Sequence, residues 1–136
     1  MATGKGNNAV LCRGIRGATT IATNRAEDIL EATRELLQKM IQANGVVADK
    51  VACVLFTTTP DLNAEFPAAA ARELPGWSGV ALLCGHEMEV PGSLPRCLRI
   101  LMLVNTEKGA DEIEHVYLRG AEGLRSGKAG SGWAGL

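Results

Sequence analysis

The chain has 136 residues, 46% hydrophobic and 21% charged, with a formal net charge of −1. That length holds one domain with a real core but not two, and the near-neutral balance argues against a nucleic-acid or anionic-membrane partner. Five aromatic residues (Phe56, Phe66, Trp77, Tyr117, Trp133) are too few for a base-stacking platform, and two histidines, His86 and His115, make a transition-metal site a poor expectation. Cys12, Cys53, Cys84 and Cys97 form no C-x-x-C pair; three lie in apolar runs, and they read as buried reduced thiols. The start, MATGKGNN, lacks the apolar core of a signal peptide and no run reaches membrane-spanning length, so a cytoplasmic protein is expected.

Residues 1–10, rich in Gly and Asn, read as a disordered leader before a single domain over 11–125. LCRGIRGATTIAT (11–23) ends in β-branched alternation and predicts the first strand. Gly14 and Gly17 bracket Ile15-Arg16, which suggests a bulge or the close approach of another backbone. Arg16 taken alone is an ordinary surface arginine. Over residues 24–44, Ile29, Thr33, Leu36, Leu37, Met40 and Ile41 share one stripe at helical spacing. Asn24 with Glu27 fits a capping box, Glu35 and Lys39 fit an i,i+4 pair, and Asn44-Gly45 supplies the stop.

KVACVLFTTT (50–59) follows as a strand ending in hydroxyls. Pro60-Asp61 turns the chain, Pro67 opens a short helix whose cation is Arg72, and Trp77 packs after the Pro75-Gly76 stop. Strands are predicted at 80–84 and 95–106, then a helical turn running into HVYL, which carries Tyr117. The Gly/Ser-rich end predicts a flexible tail over 126–136. This order gives an α/β (α+β) domain, a mixed β-sheet packed with one long helix. One such helix covers one sheet face, so apolar residues left on the other predict oligomerisation.

Within 98–104, Arg99 shares a face with Leu101 and Leu103, while Leu98, Ile100, Met102 and Val104 line the other; the strand reads as buried on both sides. An ionised guanidinium in that setting needs a partner. Glu87 and Glu89 end the apolar run that starts at 80, and a hairpin of the two runs would set Glu87 beside Arg99. A lone couple of this kind is most often a structural ion pair. Other motifs fall away. GSGWAG (130–135) matches G-x-G-x-x-G but neither follows a strand nor opens a helix, His86-Glu87 does not extend to a zinc motif, and G-x-S-x-G is absent. What remains is Arg16, Arg72, Arg99, Arg125, Tyr117 and Glu87, a set suited to a polycarboxylate ligand without a nucleophile or cofactor.

RGIRGATT (13–20), TPDL (59–62), EFPAAAAREL (65–74), GW (76–77), C-x-x-E-M (84–88), CLRILMLV (97–104) and HVYLRGAEGLR (115–125) together resemble the monofunctional bacterial chorismate mutases of the AroH type. The resemblance implies a trimeric pseudo-α/β-barrel, a homotrimer with active sites at subunit interfaces. It implies chorismate as substrate, rearranged to prephenate with no cofactor and no metal. The family's carboxylate-binding arginine falls on Arg16, the arginine that meets the ether oxygen on Arg99, and the glutamate at the ring hydroxyl on Glu87. Tyr117 matches a carboxylate-holding tyrosine. Cys84, flanked by Leu82 and Leu83, matches the segment whose backbone faces the ring. Phe66, Ala68 and Arg72 match the neighbouring subunit's wall, and Leu124 and Arg125 the C-terminal lid. Ala69 stands where a relative carries lysine and Leu83 where it carries threonine, which implies changed affinity. A trimeric carboxylate-binding module and an enamine/imine deaminase of related architecture are the alternatives, although Glu87…Arg99…Tyr117 does not resemble the latter's pattern.

Overall fold

The computed structural model describes residues 9–126; the leader and tail expected from the sequence fall, over 1–8 and 127–136, outside the described residues. Five strands form one mixed sheet: β1 (Leu11–Thr20), β2 (Val51–Thr58), β3 (Ala81–His86), β4 (Cys97–Thr106) and β5 (Val116–Tyr117), in the order β3-β2-β4-β1-β5. A long helix, α1 (Ala26–Asn44), packs on one face together with the short α2 (Ala68–Arg72).

The helix follows from its apolar stripe: Ile29, Ala32, Leu36, Leu37 and Met40 are fully buried against Ile15, Val54, Phe56, Leu98 and Met102 of the sheet. Each large side chain so buried contributes roughly 1.5–3 kcal/mol. Gly17 is the point of closest approach. A methyl there would overlap the sulfur of Met40 and crowd Leu36 Cδ1 at 3.2 Å, so the glycine lets α1 sit against β1. The suspected bulge is not in β1, which pairs with β4 in unbroken register from Leu11↔Thr106 to Thr20↔Cys97; the irregularity lies between Val51 and Cys53 of β2.

The helix start differs from the capping-box expectation. The N-cap is Arg25, with no side-chain cap bond. Asn24 instead accepts from the Asn63 and Ala64 amides at 2.9 and 3.0 Å, tying the β2–α2 loop to the helix. Glu27 and Asp28 still place negative charge in the first turn, and Gly45 closes the other end in the left-handed region at φ 62. Glu35 pairs not with Lys39 but with Arg119, at 3.1 Å.

The expected hairpin between the 80–84 run and β4 does not form. β2 lies between them, parallel to β3 and antiparallel to β4. β4 is also not buried on both sides: Leu98, Ile100, Met102 and Val104 are covered by α1, but Leu101 on the other face is 39% exposed. Nor are the thiols all buried. Cys97 is; Cys53 and Cys84 are half-buried, Cys12 is exposed, and all four are free.

Candidate active site

Strand register alone assembles the site. Across the sheet, Arg99 is opposite Thr57 on one side and Ala18 on the other, Leu101 opposite Arg16 and Leu55, and Ala18 opposite Tyr117. Paired residues project to the same face. All of these therefore lie on the face that α1 leaves open. Glu87 joins them because its amide donates to Thr58 O at 2.8 Å, which carries the β3–β2 pairing one residue past the end of β3.

A cavity of about 340 Å³ opens on this face, lined by Arg16, Ala18, Leu55, Thr57, Glu87, Arg99, Leu101, Tyr117 and Leu124 among others. At its centre Arg99 donates Nε to Glu87 Oε2 at 2.7 Å and Nη2 to Glu87 Oε1 at 2.6 Å, a bidentate pair with side chains only 22% and 13% exposed. The Thr57 hydroxyl donates to Glu87 Oε2 as well. Burial pushes the Glu87 carboxyl up, but the Arg99 hydrogen bonds, the Thr57 hydroxyl and the Arg99 charge together outweigh it and hold the group below its ordinary value. Glu87 therefore stays ionised and pins the orientation of the guanidinium. Cys97, next to Arg99 in β4, is pushed by burial to about 12 despite the Arg99 charge, so its thiol is inert at neutral pH.

The residues expected from the sequence divide into three groups. Arg16, Glu87, Arg99, Tyr117 and Leu124 meet in the one cavity. Phe66 and Cys84 line a different cleft of about 300 Å³ with His86 and Leu62, beyond the β3 edge, where Phe66 is 67% exposed; Leu83 and Arg72 are exposed too. Ala68 is in the core, and Leu82, paired with Val54, projects to the covered face and packs there. The side chain of Arg125 lies outside the described residues. Thr57, Leu55 and Ala18 have no local signal in the sequence; only the β2–β4–β1 register places them in the cavity, beside Leu101, which the alternation of β4 already sets on the Arg99 face. Among the described residues no group of three or more His, Cys, Asp or Glu is arranged to hold a metal, and no helix is long and apolar enough to cross a membrane.

The family model for chorismate mutase type I matches residues 12–128. The chorismate mutase AroH of Bacillus subtilis (strain 168) is 46% identical over 116 residues, 85% of this chain and 91% of that protein. The chorismate mutase AroH of Thermus thermophilus is 51% identical over 116 residues, 85% of this chain and 94% of that protein. Among solved structures, a chorismate mutase from Clostridium thermocellum superposes with a TM-score of 0.78 at 49% identity, covering 80% of this chain and 96% of that one. With the match running from the first strand past the last helix, the chain belongs to the type I chorismate mutase family.

Proposed function

We propose that the chain is a cytoplasmic chorismate mutase of aromatic amino-acid biosynthesis, acting as a homotrimer whose subunits complete one another's sites. The observation that carries this reading is the Arg99–Glu87 pair, set in a largely apolar cavity with Arg16 and Tyr117 on the same face. The rearrangement of chorismate to prephenate breaks a C–O bond and forms a C–C bond within one molecule. It needs neither general base nor nucleophile.

Two effects lower the barrier. Arg16 and Tyr117 hold a substrate carboxylate, which keeps the flexible side chain folded over the ring and removes the entropy of reaching that conformer. Arg99 acts electrostatically. As the C–O bond lengthens ahead of C–C formation, the ether oxygen gains negative charge, and a guanidinium already fixed by Glu87 stabilises it without reorganising. The two bonds to Glu87, from Nε and Nη2, fix the plane of the guanidinium. An acceleration of about 10⁶-fold corresponds to roughly 8 kcal/mol, and one preorganised donor supplies roughly 3–4 kcal/mol of such a total.

Association accounts for the split between the two clefts. Phe66 and Arg72 line no part of the Arg99 cavity in their own protomer, and a neighbour's copy of them would wall it. The open face supplies the apolar surface: Leu83 is 65% and Leu101 39% exposed. The free thiols suit a reducing compartment. The decisive assay follows the ultraviolet absorbance of chorismate mixed with purified protein. Loss of absorbance matching prephenate formation is expected; saturable binding at the buffer rate would leave only a binding module.

A further inference from the structure

β5, the strand that carries Tyr117, is two residues long and meets β1 only at Gly17↔Val116 and Ala18↔Tyr117. A continuing parallel ladder would give the preceding β1 amide a main-chain acceptor. Here the Arg16 amide donates instead to the side chain of His115, at 3.0 Å from Nδ1. An imidazole accepts at Nδ1 only when neutral with its proton on Nε2. The same segment is fastened from behind by the last residue of α1: the Glu114 amide donates to Asn44 Oδ1 at 2.8 Å, and Asn44 Nδ2 donates to Glu114 O at 2.9 Å. His115 thus bridges a segment anchored on the helix to the main chain of a residue that lines the cavity.

We propose that His115 is a positioning residue whose neutral imidazole, by accepting from the Arg16 main chain, sets the distance between Arg16 and Tyr117 and so the grip on a substrate carboxylate. This rests on the reading of Arg16 and Tyr117 as carboxylate-binding groups. Protonation undoes the arrangement twice over: Nδ1 becomes a donor facing a donor, and a second cation appears beside the Arg16 guanidinium. The charged groups acting on the ring are Arg16 from β1 and Glu114 from its own segment. α1 contributes the uncharged Asn44, and Arg119 after β5 is engaged with Glu35. Burial first, then the Arg16 charge, hold the imidazole below 6.5 against the pull of Glu114, so the neutral form prevails at pH 7 and the link is lost as pH falls through that lowered value.

His115→Ala removes the acceptor, and His115→Asn keeps one near the same place without a titrating group. The Ala variant is expected to raise KM roughly 10-fold and to lower kcat as well, because the grip both binds the carboxylate and holds the side chain in the folded conformer. The Asn variant is expected to restore KM to within about 3-fold of the parent and to lose the acid-side fall of kcat/KM that His115 imposes. Nitrogen NMR shifts of the ring are expected to report Nδ1 as the unprotonated nitrogen at pH 7. Parent-like KM and acid limb in His115→Ala, beside an impaired Arg16→Ala, overturn the role of His115 alone. A parent KM in Arg16→Ala overturns the proposal through the reading it rests on. Should His115→Ala fail to fold, a retained acid limb in His115→Asn overturns it.

Discussion

The face of the sheet under α1 is closed by hydrocarbon, whereas the opposite face of the same strands carries Arg16, Glu87, Arg99 and Tyr117 among half-exposed leucines. β4 writes both at once: Leu98, Ile100 and Met102 are buried on one side, and Arg99, Leu101 and Leu103 alternate with them on the other. A slip of one residue would exchange the two sets. The covered face explains why the chain folds, and the open face holds everything with chemistry in it. The ion pair marks the difference most sharply, because a structural pair is tolerated wherever it is satisfied, but this one lines a cavity.

Changes on each face break this contrast in different currencies. The largest effect is expected from Arg99→Ala, which should lower kcat/KM by about 10²–10³-fold or more. It also leaves Glu87 in a half-buried site without its cation, so thermal stability at neutral pH should fall; adding Glu87→Gln should recover stability and not turnover. Arg99→Lys keeps the charge without the fork, so partial recovery is expected, and equal turnover in the parent, Arg99→Ala and Arg99→Lys would refute the electrostatic role. On the covered face, Leu36→Ala should cost about 2–5 kcal/mol by chemical denaturation while leaving the association state alone. Leu101→Asp is its counterpart: sedimentation should show single chains, and a parent-sized assembly would remove the open face as the association surface.

Gly17→Ala presses on the seam between the faces. Overpacking against Met40 and Leu36 should cost about 1–3 kcal/mol, read as a lowered denaturant midpoint. The smallest effect is expected from Thr57→Val, about 1 kcal/mol, through loss of one hydrogen bond to Glu87. Its signature is the pH dependence. The stability that ionised Glu87 contributes is present above the ordinary value of 4.5 and lost as pH falls through the lower folded value. Thr57→Val raises that folded value, so acid loss should begin at higher pH in a stability-against-pH titration.

Much of this was legible beforehand because it is periodic. The α1 stripe, the alternation in β4 and the need of Arg99 for a partner are local, and Glu87 was named as that partner. The route was not. Neighbours in sequence suggested a hairpin, yet β2 is inserted between β3 and β4, because order within a sheet is decided by long-range packing that no window of residues contains. The same blindness hid Thr57, whose place depends on β2 lying opposite Arg99. Asn24 misled for a related reason: its side chain could satisfy either the helix amides or a distant loop, and the loop won. Ala68 sits in the core and Leu82 packs against it, placements that follow from α2 and from the β2–β3 register.

The clasp between Asn44 and Glu114 couples the quiet side of the molecule to the working side, since the helix ends where the segment leading to Tyr117 is fastened. Each residue added to or removed from α1 would swing that asparagine by about 100° around the axis and 1.5 Å along it. The arm bearing His115 and Tyr117 would then lose its hold on the helix and keep only its short pairing with β1. Helix length in this protein is thus a dimension of the reaction vessel, and a deletion far from any substrate should be read first as a misplaced wall.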